Sequence, residues 1–181
     1  MEETGREARP SGAMNKPPFR VALVEPQIPP NTGNIARLCA ATECELVLVG
    51  ELGFDLSNSA LKRAGLDYWE HVNWRHEADT AKFFESLSGE NCHLLTTKAQ
   101  TPYTALPAAW GDWLIFGKET AGLPQSLLEQ HREQCYTIPM WAEGVRSLNL
   151  ASAVAIVLYD ALRRVRPFGL PQQSSEPGYN P

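Results

Sequence analysis

The sequence lacks the short motifs by which several large enzyme classes are detected. No two glycines are separated by a single residue, which excludes the GxGxxG turn of dinucleotide-binding folds, and no GxSxG nucleophile elbow occurs. His76-Glu77 has no second histidine at the spacing of a zinc-binding HExxH motif. Gly117-Lys118 imitates a phosphate-binding loop, but Glu119 stands where Ser or Thr would hold magnesium. Kinase, hydrolase, dehydrogenase and zinc-enzyme interpretations are therefore disfavoured, and no metal is expected.

Cysteine pairs, long apolar runs and excess positive charge are also missing. The longest apolar stretch, 148–159, is interrupted by polar residues and is shorter than the roughly 20 residues of a membrane span. The first 18 residues have no apolar core like that of a signal peptide, so we expect a cytoplasmic protein without a membrane partner. With 16 Lys+Arg against 21 Asp+Glu, a nucleic-acid role requires a local basic patch. The four cysteines form no CxxC pair, which favours reduced thiols: Cys39, Cys44, Cys92 and Cys135.

Short apolar runs alternate with amphipathic segments along the middle of the chain. Continuous apolar runs are typical of strands buried on both faces, and they predict strands at 20–25, 45–50, 91–97, 112–117 and 134–139, with a weaker one near 68–72. Helices are predicted at 32–42, 78–87, 124–130 and 147–166. This alternation indicates an α/β fold with a mainly parallel sheet flanked by helices. Residues 1–18 and 168–181 are predicted to be a disordered and a flexible tail around one domain at 19–167.

The segment after the first predicted strand carries polar residues at helical spacing. Asn31 or Thr32 can cap a helix there, and Asn34 and Arg37 are i, i+3 neighbours on one face of it. Ligands of parallel sheets bind beyond the carboxyl ends of the strands, so this face is a candidate site. A well-capped helix with a solvated arginine explains the same spacing and is favoured on spacing alone.

Two further segments follow later strands of the predicted sheet. Residues 116–124 place two glycines and a proline in a short turn, which implies special backbone angles or a close approach to a ligand. Ser147 is a natural N-cap, and Asn149 and Ser152 then lie i, i+3 in an otherwise apolar helix, where a polar group needs a partner. A helix–helix hydrogen bond or a cap is the structural alternative to a ligand site.

Six segments of the chain resemble, in order, successive blocks of the SPOUT superfamily of S-adenosylmethionine-dependent RNA methyltransferases. They are EPQIPPNTGNIARLCA, RAGLDYWE, LLTTKA, FGKETAGLP, IPM and RSLNLASAVAIVLYDALRR. The similarity is closest to its small single-domain branch, the TrmL type, which methylates the ribose 2′-OH of the tRNA wobble nucleotide, cytidine 34 or uridine 34. It covers roughly residues 19–166. Each block alone is a weak match, and all six in order are specific.

This resemblance implies a SPOUT fold whose final helix passes through a loop to form a C-terminal trefoil knot, and a homodimer. It implies S-adenosyl-L-methionine as cofactor, S-adenosyl-L-homocysteine as product and no metal. The first motif would lie at the dimer interface facing the transferred methyl group, and the implied catalytic residues are Arg37, Asn34 and Asn149. The positions implied to contact or line the cofactor pocket are Leu95, Thr96, Gly117, Glu119, Ile138, Met140, Ser147, Leu148 and Ser152.

The expected RNA partner is the tRNA anticodon stem-loop. Lys62, Arg63, Lys98 and Arg146 are candidate RNA-binding residues, because cations at loop or helix ends could form a phosphate-binding stripe across a dimer. Residues 163–166 carry three arginines that could join the stripe or complement the helix dipole. The linker WAEGVRSLN, with Trp141, departs from the family pattern where such sequences vary.

Three alternatives remain open at this point. The chain could methylate another tRNA position or ribosomal RNA, although relatives of the latter kind usually carry an added RNA-binding domain. It could instead be a cofactor-free RNA-binding dimer. Arg37 could orient the ribose or act as the base, and orientation is favoured because arginine stays protonated in almost any site.

Overall fold

Six parallel strands form the sheet of the computed structural model, which describes residues 16–55 and 71–166. Within these residues the strand order is β3-β2-β1-β5-β4-β6, and each pair of neighbouring strands is parallel. The predicted α/β class with a parallel sheet is therefore confirmed. The strands are β1 (Phe19–Val24), β2 (Glu45–Val49), β3 (Trp74–Glu77), β4 (Cys92–Leu95), β5 (Asp112–Phe116) and β6 (Cys135–Tyr136).

Helices cover both faces of this sheet. Two of them, α1 (Pro29–Thr42) and α4 (Leu150–Val165), pack on one face, while α2 (Thr80–Ser86) and α3 (Gln125–Gln130) pack on the other. In β1, alternate side chains enter the two cores, so that Val21 belongs to the first and Ala22 to the second. Burial on both faces explains why the central strands read as continuous apolar runs.

The edge strand β3 differs from the sequence prediction. It spans Trp74–Glu77 and, among the described strands, pairs with β2 alone, whereas the pattern predicts a weak strand near 68–72, most of which lies outside the described residues. None of its four residues is fully buried. An edge strand left partly open to water has no continuous apolar run, and this is why the apolar runs do not predict β3.

Both long helices begin at residues other than those predicted. The helix α1 begins at Pro29, with Ile28 as its N-cap, because a proline in the first turn loses no hydrogen bond and already has a helical φ. The predicted start at Thr32 is therefore wrong. The N-cap of α4 is Asn149, and not Ser147: Asn149 Oδ1 accepts hydrogen bonds from the backbone N–H of Ala151 at 2.9 Å and of Ser152 at 3.3 Å.

The connection between β4 and β5 lies against both ends of the final segment. Thr137, directly after β6, donates its N–H to Thr101 O at 2.8 Å and accepts from Tyr103 N at 2.8 Å. Arg164 near the end of α4 donates to Leu106 O at 2.6 Å. The C-terminal segment is thus fastened to one loop at two places, and its threading into a trefoil knot stays a prediction.

Several sequence-based predictions fall outside the described part of the chain. These are most of the predicted N-terminal tail, the C-terminal tail from residue 168, and the candidate RNA-binding residues Lys62 and Arg63. Residues 16–18 of the predicted tail do make contacts, since Lys16 O accepts from Trp110 Nε1 at 3.0 Å and Pro18 O accepts from Gly111 N at 2.8 Å. Among the described helices, none is long and apolar enough to cross a bilayer.

The four thiols are free and buried within the two cores. Burial is the first cause that raises the pKa of each of them, to about 11 for Cys92. Thiols held in the protonated form are poor nucleophiles, so these residues are part of the packing.

Removing residues 1–13 should leave the free energy of unfolding unchanged, because the contacts of Lys16 and Pro18 remain. Removing residues 1–18 should lower it by about 1–3 kcal/mol, since two N–H donors lose their acceptors. Urea unfolding followed by circular dichroism measures both. Equal stability of the two truncated proteins would show that these two hydrogen bonds contribute nothing.

Candidate active site

A cavity of about 510 Å³ opens at the carboxyl-terminal edge of the sheet. The last residues of three strands lie in its wall: Leu95 of β4, Phe116 of β5 and Tyr136 of β6. Ligands of open parallel sheets bind at this edge, and the volume falls within the roughly 300–1,000 Å³ of small-molecule sites. The cavity is therefore the candidate active site.

Most of the residues predicted to hold the cofactor line this cavity. They come from the ends of β4, β5 and β6 and from the loop before α4: Leu95, Thr96, Gly117, Glu119, Ile138, Met140, Ser147 and Leu148. Ser152 is not in the lining; it is exposed on the first turn of α4, and its backbone N–H donates to the N-cap residue. The structure brings the three sequence segments together, and the roles of their residues toward a cofactor stay predictions.

Three side chains from distant parts of the chain form a network that we call the clasp: Asn31, Glu119 and Asn149. Asn31 Nδ2 donates to Glu119 Oε1 at 3.0 Å, and Asn149 Nδ2 donates to Asn31 Oδ1 at 2.9 Å. All three residues line the cavity. The clasp joins the start of α1, the turn after β5 and the N-terminus of α4 into one wall.

The Glu119 carboxylate is the centre of the clasp. Besides the amide of Asn31 it accepts the backbone N–H groups of Gln27 at 2.9 Å and Ile28 at 3.2 Å. Hydrogen bonds to a charged acceptor contribute about 1.5–3 kcal/mol each, more than neutral ones. Thr120 adds a neutral tie from its hydroxyl to Gln27 Oε1 at 2.8 Å. The turn after β5 is thus held firmly against the loop after β1.

A close backbone contact makes Gly117 necessary at the beginning of this turn. A Cβ built on Gly117 would lie 2.1 Å from the carbonyl carbon of Gly122 and 2.2 Å from the nitrogen of Leu123. The turn closes through Gly122 N, which donates to Lys118 O at 2.8 Å, with Gly122 at φ +68°. The two glycines therefore have a structural reason, and the turn they allow forms part of the cavity wall.

The predicted catalytic residues of α1 lie apart from the cavity. Asn34 and Arg37 are both exposed, and neither is part of its lining. Arg37 comes six residues after Asn31, which is about 9 Å along a helix axis. Within one subunit the structure therefore does not bring Arg37 together with the predicted cofactor residues.

The cavity lining carries more positive than negative side chains. Lys98, Lys118 and Arg146 line it, with Glu119 as its acidic residue. Lys118 Nζ is paired with Glu25 Oε2 at 2.6 Å, whereas Lys98 Nζ donates to a neutral group, Gln125 Oε1, at 2.9 Å. The predicted RNA-binding residues Lys98 and Arg146 thus stand at the cavity.

The arginines at the end of α4 have acidic partners instead. Arg163 and Arg164 pair with Asp160, and Arg166 donates to Glu43 Oε2 at 2.8 Å. These contacts fit a structural role better than the phosphate-binding stripe that the sequence left open.

Sequence reasoning missed some lining residues individually, among them Lys118, Thr120 and Tyr136. Lys118 and Thr120 lie in the turn after β5, and Tyr136 lies at the end of β6. Their position at the carboxyl ends of strands was the signal that could have identified them as lining residues. Within the described residues, no group of three or more His, Cys, Asp or Glu side chains could hold a metal ion.

The fold and cavity are those of an α/β protein with a candidate ligand site at the carboxyl edge of a parallel sheet. The chain belongs to the SpoU rRNA Methylase family, whose model matches residues 18–159. A tRNA (cytidine(34)-2′-O)-methyltransferase from Yersinia pestis is 42% identical over 153 residues, covering 81% of this chain and 94% of the relative.

Two solved RNA methyltransferase structures are similar to this chain. One, reported for the 2-OH methylation of C/U34 on tRNA, has a TM-score of 0.75 and 41% identity and covers 81% of this chain and 95% of that chain. An AdoMet-bound rRNA methyltransferase from Sinorhizobium meliloti has a TM-score of 0.71 and 27% identity, and the match covers 81% of this chain but 56% of that chain.

Replacing Gly117 by Ala should destabilise the protein by about 1–3 kcal/mol or more, because the added methyl group meets backbone that must move. Gly144→Ala is the matched control, since a Cβ at Gly144 meets no atom within 4 Å. Thermal unfolding of both variants tests this. A melting temperature of Gly117→Ala equal to that of the control would contradict the close contact.

Proposed function

We propose that this protein transfers a methyl group from S-adenosyl-L-methionine to the ribose 2′-oxygen of nucleotide 34 in tRNA. Cytidine and uridine are the proposed bases, the anticodon stem-loop is the proposed binding element, and S-adenosyl-L-homocysteine is the product. We propose the cytoplasm as its location, because tRNA is its substrate. The family and the named relatives support this proposal.

The observation that carries the proposal is the common wall built by three separate motifs. The segment after β1, the turn after β5 and the loop before α4 meet in the clasp around one cavity. These are the segments whose sequences resemble RNA methyltransferases. A tight glycine turn and a part-buried amide network hold the three segments in register around the cavity.

The cavity fits S-adenosylmethionine in size and chemistry. Leu95, Ile138 and Leu148 give it apolar surface suited to a nucleoside base, and the peptide groups near Gly117 are suited to polar recognition. When bound, the cofactor supplies a methyl group that its sulfonium has already activated. The protein's task is therefore alignment of a weak hydroxyl nucleophile and exclusion of water, which can contribute several kcal/mol.

Arg37 is proposed to orient the substrate. Its guanidinium stays protonated in almost any site and offers several N–H donors in a plane, so it suits a phosphate or ribose oxygen better than the role of a base. The contacts of Asn149 are those of a positioning residue, since Oδ1 caps α4 and Nδ2 holds Asn31. The catalytic roles suggested for Asn149 and Asn34 by sequence stay predictions.

A homodimer is proposed, with α1 and α4 at its interface. Ile156 and Tyr159 are 39% and 45% exposed on one face of α4, which packs on the same side of the sheet as α1. Burying such side chains favours association. Pairing through these helices would place the exposed Arg37 at the interface, so that it could serve a cavity that its own subunit does not bring to it.

The share of each relative that the match covers favours tRNA over ribosomal RNA. The tRNA relative from Yersinia pestis is covered over 94% of its length, whereas the rRNA methyltransferase from Sinorhizobium meliloti extends well beyond the matched region. If the chain were instead a cofactor-free RNA-binding dimer, calorimetry would detect no binding of S-adenosylmethionine.

The test is transfer of a labelled methyl group from S-adenosylmethionine to tRNA transcripts that differ at position 34. A transcript with a 2′-deoxy nucleotide at position 34 is the matched control, since it lacks the accepting oxygen. Equal incorporation into both RNAs would contradict the assigned position, and incorporation only into ribosomal RNA would favour the alternative enzyme.

Arg37→Ala should abolish methyl transfer while leaving the Kd for S-adenosylmethionine nearly unchanged. An interaction made mainly in the transition state affects the rate and not ground-state binding. Arg163→Ala is the control, because this exposed arginine pairs with Asp160 on its own helix. Near-normal transfer by Arg37→Ala would show that Arg37 is only a solvated helix residue.

Asn149→Ala should weaken cofactor binding by about 1–3 kcal/mol, because Asn31 loses its donor and the wall of the cavity loosens. Asn149→Ser separates the two roles of the residue: a serine caps a helix but is too short to maintain the clasp. Titration calorimetry should find weak binding of S-adenosylmethionine to both variants. Thermal unfolding should show that only Asn149→Ala loses about 1 kcal/mol of stability from the missing helix cap. Full recovery of binding by Ser would mean that capping alone matters.

A further inference from the structure

An exposed aromatic residue directly follows the cavity wall along the chain. Trp141 is 91% exposed, the highest value among the large apolar residues that the structure describes as exposed. It directly follows Met140, which lines the cavity, and the chain returns to the lining at Arg146. The segment between them makes one turn, closed by Val145 N donating to Ala142 O at 3.2 Å.

Trp141 does not stand alone. Val145 and Leu148 in the same segment are also among the exposed large apolar residues, and Leu148 lines the cavity. Single exposed apolar residues need no explanation, but three within eight residues make this segment, which leaves and rejoins the cavity wall, an exposed apolar patch of the kind that binds a partner.

The charges around the patch indicate the chemistry of that partner. Arg146 and Lys98 stand in the adjoining cavity wall, where they would attract phosphate, while the chain as a whole carries a net charge of −5. A nucleic acid presents phosphates beside flat base surfaces, and single-stranded RNA is commonly bound by stacking of its bases on aromatic side chains. An exposed indole in the chain segment between Met140 and Arg146 of this wall is suited to an unstacked nucleotide.

We propose that Trp141 is a substrate-binding residue that stacks on a nucleobase of the RNA next to the reacting ribose. The inference rests on the proposed function, because it takes the RNA to be the molecule presented at this cavity. Because the chain carries a net negative charge, phosphate contacts alone would give it little affinity for RNA. Stacking on Trp141 would add to that affinity. A second copy of the chain is the competing occupant, and the exposed residues of α4 already offer a separate face for it.

The experiment measures RNA affinity apart from catalysis. An anticodon stem-loop RNA is titrated into wild-type protein, Trp141→Ala and Trp141→Phe without cofactor, and the Kd is obtained from fluorescence anisotropy of the labelled RNA. Trp110→Ala is the control, because Trp110 is a partly exposed tryptophan just before β5, at the opposite edge of the sheet. Intrinsic fluorescence of wild type, Trp141→Phe and Trp110→Phe is recorded in parallel.

Trp141→Ala should raise the Kd for the RNA about 5- to 150-fold, and Trp141→Phe should restore most of the affinity because a phenyl ring still stacks. The KM for tRNA should rise more than kcat falls, and the Kd for S-adenosylmethionine should not change. RNA should quench tryptophan fluorescence in wild type and Trp110→Phe, and much less in Trp141→Phe.

The outcomes separate this inference from the proposed function. Methyl transfer by wild type with an unchanged RNA Kd in Trp141→Ala would overturn the stacking role alone. RNA binding with Trp141-dependent quenching but no methyl transfer would overturn the proposed function alone. A phenylalanine variant as weak as alanine would overturn stacking, and so would loss of the dimer in Trp141→Ala measured by sedimentation, since Trp141 would then cover the partner subunit.

Discussion

The cavity depends on one carboxylate that satisfies donors from another part of the chain. Glu119 accepts the N–H groups of Gln27 and Ile28 and the amide of Asn31. A carboxylate can only accept, and the loop after β1 presents donors that would otherwise lack partners at the start of a helix. The fit is therefore reciprocal: each side of the contact supplies what the other needs. Asn31 then passes the constraint on to the N-cap of α4.

Sheet topology explains why this contact forms at the correct place. The strands β1 and β5 are parallel neighbours, so the loops that follow them leave the sheet side by side. Two further ties join the same loops, from Lys118 to Glu25 and from Thr120 to Gln27. The turn after β5 must be very tight to stay within reach, which is why no side chain fits at Gly117. The missing side chain at Gly117 thus allows the contact between the loop after β1 and the turn after β5.

The central strands and most of the cavity lining could be predicted from the sequence, and their physical reasons are local. An apolar run indicates a strand buried on both faces, and motifs at strand ends indicate the ligand edge. The partners of Asn149 could not be predicted, because Asn31 lies 118 residues away and no periodicity relates the two. Polarity predicted that Asn149 and Ser152 each need a partner, but only the observed helix start shows that one caps and the other is exposed. The edge strand β3 could not be predicted either, because its residues are partly exposed and form no continuous apolar run.

Net charge proves to be a poor guide to the proposed RNA surface, because what counts is the partner of each charge. Arg163, Arg164 and Arg166 are bound to acidic residues, so they add little to the field that a polyanion meets. Lys98 and Arg146 face the cavity and give a negatively charged protein a locally positive mouth. Each phosphate contact that these two cations make would release about one counterion, so their share of the RNA affinity would fall as salt rises. Contacts with the bases would add to this share, and the exposed indole of Trp141, which directly follows Met140 of the cavity wall, is suited to supply them.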